Sequence, residues 1–193
     1  GDVLTEVRAP VDGMLSILKN AMDLLDAAEL EIPTRFSAFP RPSEWHVHEL
    51  HTHRYFQLNL FLVPSGNSIP LHGHPLLAVL LRVLTGSARV KAYDWAEEHP
   101  WSGLARATYD RVIRETDGSL LVLPKRGNVH SVEALEDCAF VDLVYPPYSE
   151  HDGRPCHYYQ EGEHVSQHVA APIEREGRDF RDQILRVAEG RLI

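Results

Sequence analysis

The sequence predicts an all-β core, an antiparallel sandwich or barrel with a helix at each end, and three observations predict it. Short runs rich in apolar and β-branched residues follow one another through the middle of the chain. They are separated by turn-forming clusters containing glycine, asparagine or aspartate, and helical periodicity is confined to the two ends. Strands that succeed one another with no helix between them pair antiparallel and close into a sandwich or barrel. At 193 residues the chain has the size of one domain, expected over 1–193 with its core at about 45–160.

Taken in order, Leu15, Leu18, Met22 and Leu25 recur every three or four residues between Pro10 and Glu31. This predicts an amphipathic helix over 10–31, packed on the body of the domain. Arg41-Pro42-Ser43 marks a loop, and Trp45 to Val63 favours strand. Leu77 to Leu84 and Ala88 to Tyr93 flank Thr85-Gly86-Ser87 as the arms of a hairpin would. The polar, mixed segment from Ala96 to Arg114 is expected to leave the barrel as a long excursion. Ser119 to Leu123, Val129 to Ala134 and Ala139 to Tyr145 continue the strands, and Phe180, Ile184, Leu185 and Ala188 predict a second helix over 178–189.

Composition narrows the functions. Hydrophobic residues at 44% and charged residues at 24% are globular values. A net charge of −9 argues against binding phosphate backbones, so no nucleic-acid partner is expected. No apolar run approaches the ~20 residues that span a bilayer, and no basic-then-apolar leader opens the chain. No membrane association is expected; the chain reads as soluble and unexported, cytoplasmic or nuclear, with a monomer the simplest state. Two cysteines, Cys138 and Cys156, are too few for a disulfide framework and fit a reducing compartment. The twelve histidines are the anomaly, and imidazole is a common ligand of borderline metals.

In Gly66-Asn67-Ser68-Ile69-Pro70-Leu71-His72-Gly73-His74, a glycine is followed by five residues and a His-x-His pair. Residues two apart on a strand share a face, so His72 and His74 can converge on one ion. His130, after Gly118, Pro124 and Gly127-Asn128-Val129, is the candidate third ligand. A second histidine run, His46, His48, His51 and His53, lacks glycine punctuation. Structural or solvent-facing histidines and a second metal or substrate contact both remain open there.

The two-part pattern resembles the cupin superfamily, whose first motif places a glutamate after the His-x-His pair, six residues before a glycine. Counting back from Gly86 lands on Val79, so the carboxylate is missing. Three neutral imidazoles leave the charge of a divalent ion uncompensated, a gap suited to an anionic substrate. A thiolate fits, because a metal lowers the thiol pKa and sulfur is a good donor to iron. Oxidation of that thiol by dioxygen would give a sulfinic acid.

A closer resemblance spans roughly positions 45 to 160. It is carried by the His-x-His-Pro start and Lys91-Ala92-Tyr93-Asp94-Trp95 end of Ile69 to Trp95, by Gly127-Asn128-Val129-His130, by Cys138 to Leu143, by Pro146-Pro147-Tyr148 and by Gly153 to Tyr159. These segments resemble the thiol dioxygenase family of plant cysteine oxidases and cysteamine dioxygenase. The resemblance implies a cupin barrel of jelly-roll type with one Fe(2+) per chain on His72, His74 and His130, dioxygen as co-substrate and no organic cofactor. It also implies that the substrate is a protein with an exposed N-terminal cysteine, oxidised as an oxygen sensor feeding an N-degron pathway, or a small aminothiol. Asp142, in an apolar run, is by that likeness either a residue supporting a metal ligand or a partner of the substrate amine; a salt bridge at the strand's edge is the other reading. Tyr148 resembles a tyrosine projecting toward the iron, or is a surface-loop aromatic. Cys156 and Tyr158 match a pair that forms a thioether crosslink in some relatives, and a reduced pair is equally open. Cys138 fits an apolar strand.

Where relatives place Pro-Gly-Met, this chain has Pro75-Leu76-Leu77, whose bulk is expected to narrow the pocket. A cupin holding zinc or nickel without oxidation is the reading from another class. A sugar-type isomerase would need an acid/base pair that the sequence does not offer.

Overall fold

The computed structural model describes residues 8–32, 44–96, 103–166 and 183–190. One helix, α1 (Arg8–Asp23), precedes eleven strands among these residues: β1 (His46–Thr52), β2 (Gln57–Val63), β3 (Ser68–Gly73), β4 (Ala78–Thr85), β5 (Ser87–Trp95), β6 (Gly103–Arg114), β7 (Leu120–Val122), β8 (Val129–Ala134), β9 (Cys138–Tyr145), β10 (His157–Ser166) and β11 (Gln183–Gly190). Five form a sheet in the order β1-β2-β9-β4-β7; the other six close on themselves in the order β10-β11-β6-β5-β8-β3. All pairings are antiparallel. This is the antiparallel all-β architecture expected.

The burial of the strands follows from what covers each face. Val63, Ile69, Leu81, Val83, Val90, Ile113, Val132 and Phe140 come from both sheets and form the core between them. The other face of the five-stranded sheet carries Leu60, Leu62, Leu80, Leu84, Val141 and Leu143, which Met22, Ile32 and, less completely, Leu18 and Leu25 cover. Thus β4 and β9 read as near-continuous apolar runs because both faces are buried.

The helix is shorter than the 10–31 its periodicity predicts. It ends at Asp23, after which Leu24 and Leu25 donate to carbonyls only three residues back and Asp26 caps the amide of Ala28. Asp23 is tied down itself. Its carboxylate accepts Lys19 Nζ at 2.6 Å and both the backbone N–H (2.6 Å) and hydroxyl (2.5 Å) of Ser119. Burial opposes its ionisation, but these donors outweigh it and hold its pKa at about 2.

Three local expectations are corrected. The segment expected to leave the barrel is strand where it is described: from Gly103 to Arg114 it is β6, laddered to β5 and β11, with Ala105 and Ala107 buried, and residues 97–102 lie outside the described ones. Small inward alanines alternating with polar residues conceal a strand from any search for large apolar residues. The helix expected over 178–189 is replaced at 183–190 by strand β11, which fills the gap between β6 and β10; residues 178–182 lie outside the described ones. A short apolar run does not separate helix from strand by periodicity, and here unpaired neighbouring edges decide. Lastly, β4 and β5 are not a hairpin but belong to different sheets.

Gly86 is the corner where the chain crosses between sheets. Its φ is +74°, and a Cβ there would lie 2.3 Å from the carbonyl oxygen of Asp137. Backbone strain and a backbone clash then act together, so Gly86→Ala is expected to destabilise by at least about 2 kcal/mol. Chemical denaturation of the two proteins measures it.

Candidate metal centre

β3 and β8 are neighbours, registered so that His72 lies opposite His130 and Gly73 opposite Val129, with a bulge between Ile69 and His72. His74 stands one residue beyond the end of β3. The ring centroids are 4.8 Å apart for His72 and His74, 4.4 Å for His72 and His130, and 5.0 Å for His74 and His130. Each histidine offers a ligand nitrogen, all three lie within 4.8 Å of one another, and all three residues are buried; no other such group occurs among the described residues. Gly73 leaves little room for a side chain: a Cβ there would come 3.0 Å from the Tyr159 ring.

Protonation suits the trio to a cation. Burial lowers the pKa of His72 to about 4, against the opposing pull of the Pro70 carbonyl. Burial first, then repulsion from neighbouring imidazoles, holds His74 and His130 well below 6.5. All three are neutral ligands at neutral pH. A carbonyl only accepts, so His72 Nδ1 must carry the proton it shares with Pro70 O at 2.8 Å, which frees Nε2. His74 Nδ1 lies 2.6 Å from the Tyr148 hydroxyl, while its Nε2 is buried without a hydrogen-bond partner. A divalent ion bound by imidazole nitrogen satisfies that orphaned atom, and the nitrogen-only donor set fits iron as it fits other borderline metals. Val79 is buried in an apolar cluster with Leu77, Val122 and Val144, so no carboxylate enters from β4.

Of the remaining candidates, Tyr148 and Tyr158 flank the trio. Tyr148 packs against the Val79 cluster with its ring centroid 5.8 Å from that of His74, so it is not a surface aromatic. Tyr158, on β10, pairs with His72 on β3, the rings 5.8 Å apart. The hydroxyls of Tyr158 and Tyr148 favour ionisation of the neighbouring Cys156 thiol. Burial nevertheless raises the Cys156 thiol to about 11, with Asp142 adding to the rise, so it stays protonated. Asp142 is at no strand edge: β9 is the central strand of its sheet, and Asp142 is buried. Its Oδ1 accepts a 3.1 Å bond from Asn59 Nδ2, yet burial outweighs that donor and raises the carboxyl to about 7. Cys138 is buried in the core, its thiol raised to about 12 chiefly by desolvation.

Tyr148 should tune the site through its hydroxyl. Tyr148→Phe removes the bond to His74 Nδ1 and is expected to weaken Co(2+) binding by about tenfold, read by metal titration of the folded variant.

The second histidine run is not brought to this centre. It lies on edge strand β1 and the turn after it, where the rings of His51 and His53 stack at 6.4 Å. Nor does Leu76 fill the pocket. It is 65% exposed, with φ +61°, in the turn closed by the bond from Leu77 N–H to His74 C=O. That positive φ is why glycine suits this position.

Two residues escaped sequence reasoning. Asn59 partners Asp142, and its signal was a polar side chain inside the apolar run Gln57–Val63. Asn128, noted above only as part of a turn, is buried with its amide on the backbone of His74.

Comparison with known proteins bears on the same residues. Residues 18–188 match the PCO_ADO family model. The chain is similar to the 2-aminoethanethiol dioxygenase of Mus musculus, 33% identical over 176 residues that cover 76% of this chain and 67% of the relative. It is similar also to plant cysteine oxidase 2 of Arabidopsis thaliana, 30% identical over 161 residues, covering 78% of this chain and 58% of that one. The chain thus spans 58% to 67% of the length of these two relatives. Among solved structures it is similar to a cupin superfamily protein from Desulfitobacterium hafniense, 14% identical with a TM-score of 0.42, over 56% of this chain and 83% of that one.

Proposed function

The chain belongs to the PCO_ADO family of thiol dioxygenases, and from that premise we propose that it is a non-haem iron enzyme converting a thiol to a sulfinic acid with dioxygen. The observation that carries this reading is the buried trio of neutral imidazoles with an apolar residue, Val79, where a carboxylate ligand would stand. Ferrous iron bound there would acidify the thiol and supply the redox chemistry. Both atoms of dioxygen enter the product, so one thiol and one dioxygen give one sulfinic acid with no external reductant.

The chain's own residues hold and select. His72, His74 and His130 are the metal ligands, kept neutral by burial. Tyr148 accepts a hydrogen bond from His74 Nδ1, which keeps His74 Nε2 free. Tyr158 and Cys156 line the adjoining wall. Asp142 binds the substrate's ammonium: a buried carboxylate poised near neutrality gains a charged partner exactly when an aminothiol arrives. A substrate without a free amine leaves Asp142 unpaired, and its binding is penalised.

The preferred substrate in this reading is the N-terminal cysteine of a protein, the enzyme marking it for degradation when oxygen is present. The second reading is a small aminothiol, which carries the same pair of groups. The two free cysteines fit a reducing compartment, cytoplasm or nucleus. No helix among the described residues is long and apolar enough to cross a membrane. Iron-loaded protein incubated with a Cys-initiated peptide, its N-acetylated form and cysteamine separates the readings by mass spectrometry. A gain of about 32 Da on the free-amine peptide but not on its acetylated form supports the protein substrate. A gain on cysteamine alone selects the small thiol, and a gain on none of them rejects the enzyme.

A further inference from the structure

Three hydrogen bonds converge on one buried side chain that the chemistry above does not use. Asn128 Nδ2 donates to the carbonyl of His74 at 2.8 Å and reaches that of Leu123 at 3.3 Å, while Asn128 Oδ1 accepts the His74 N–H at 3.1 Å. The β3–β8 ladder runs through His72 opposite His130 and Gly73 opposite Val129, so its next rung would set His74 against Asn128. A backbone rung cannot form there. Beyond His74, Pro75 has no N–H and the chain turns back through Leu76; before Asn128, Gly127 takes φ +66°. A primary amide carries the donor and acceptor of a peptide group, so the Asn128 side chain takes the missing rung with both His74 groups satisfied.

We propose that Asn128 is a positioning residue of the metal centre, its side-chain amide standing in for a peptide group and locking the backbone of His74 to the strand that carries His130. His72 and His130 sit within paired strands and are placed by the ladder itself. His74 lies outside it, its backbone held by this amide and by the turn bond to Leu77 and its ring by the Tyr148 hydroxyl. Without the amide, the buried N–H of His74 loses its partner and its carbonyl keeps only the turn bond from Leu77, so the backbone can carry the ring away from the position that closes the trio. The bond through Nδ2 to Leu123 ties the same clamp to the loop leading into β8.

The proposal rests on reading the trio as a metal site, and its test separates the two ideas. Metal-free wild type, Asn128→Ala, Asn128→Leu and Leu62→Ala, a variant of the core beneath the helix, are titrated with Co(2+) well below their melting temperatures, following the visible d–d bands. Leucine keeps the branched shape and heavy-atom count of asparagine without its hydrogen-bonding groups, so a cavity made by alanine does not decide the outcome. The Asn128 variants are expected to raise the Kd at least about tenfold and to change the band pattern. Leu62→Ala, which loses core packing alone, is expected to lower Tm with Kd and bands unchanged. Wild-type Kd and bands in a folded Asn128 variant overturn the proposal, as does failure of both Asn128 variants to fold, which would make the residue a general determinant of the fold. Absence of Co(2+) binding in the wild type overturns the metal reading itself.

Discussion

Alanine in place of His130 is expected to abolish iron binding and thiol oxidation together while the metal-free protein keeps its fold. The ring occupies a ladder position opposite His72, and backbone pairing there does not depend on the side chain. Two imidazoles remaining at this site leave a borderline cation with too few protein donors, so affinity should fall by more than about a hundredfold, beyond what loss of a ligand's supporting hydrogen bond costs. Removing a buried neutral ring sacrifices packing but also spares the cost of a polar group kept from water, and these partly cancel. His72→Ala should behave alike. Iron content, turnover on a Cys-initiated peptide and far-ultraviolet dichroism check the claim, and retention of both iron and activity in His130→Ala would refute the three-ligand centre.

Asp142→Asn is expected to lower kcat/KM for an aminothiol by roughly tenfold to a hundredfold, the loss of one charge-assisted bond to the ammonium. It should do so without harming the fold. Asparagine still offers Asn59 an acceptor, and it removes a carboxyl whose pKa burial raises from 3.8 to about 7. The sign follows from that direction. A carboxyl harder to ionise when folded favours the native state fully below pH 3.8 and loses that contribution as pH rises to about 7. At pH 8 the ionised group therefore costs the metal-free protein up to about 4 kcal/mol, and Asp142→Asn should raise Tm there and little at pH 4. In turnover, kcat/KM of the parent should climb as Asp142 ionises through about pH 7 and fall once the substrate's α-amine deprotonates near pH 8; the variant should lose the acidic limb. A variant with full kcat/KM and an unchanged pH profile would remove Asp142 from substrate binding.

Legibility in the sequence divides along local and non-local lines. His72 and His74 stood out because strand geometry puts alternate residues on one face. The structure adds what spacing cannot carry, the register that sets His130 opposite His72. Val79 was legible as a missing carboxylate, and Asp142 as a charge inside an apolar run. Asn59 and Asn128 were not, because each acts on a residue far along the chain and an isolated asparagine carries no periodic mark. Strand β6 was missed because its inward residues are alanines. Residues 183–190 read as helix because a short apolar stretch takes the structure of whatever edge it must complete. Gly86 looked like a hairpin turn and is instead a corner between sheets, since sheet membership is decided by partners elsewhere in the chain.

The central claim is tested most directly by isotope. The chain reconstituted with ferrous iron is given a Cys-initiated peptide under 18O2, and the product mass is read. A thiol dioxygenase places two labelled oxygens on sulfur, a gain of about 36 Da that requires iron. No gain, or oxygen drawn from water, would contradict it.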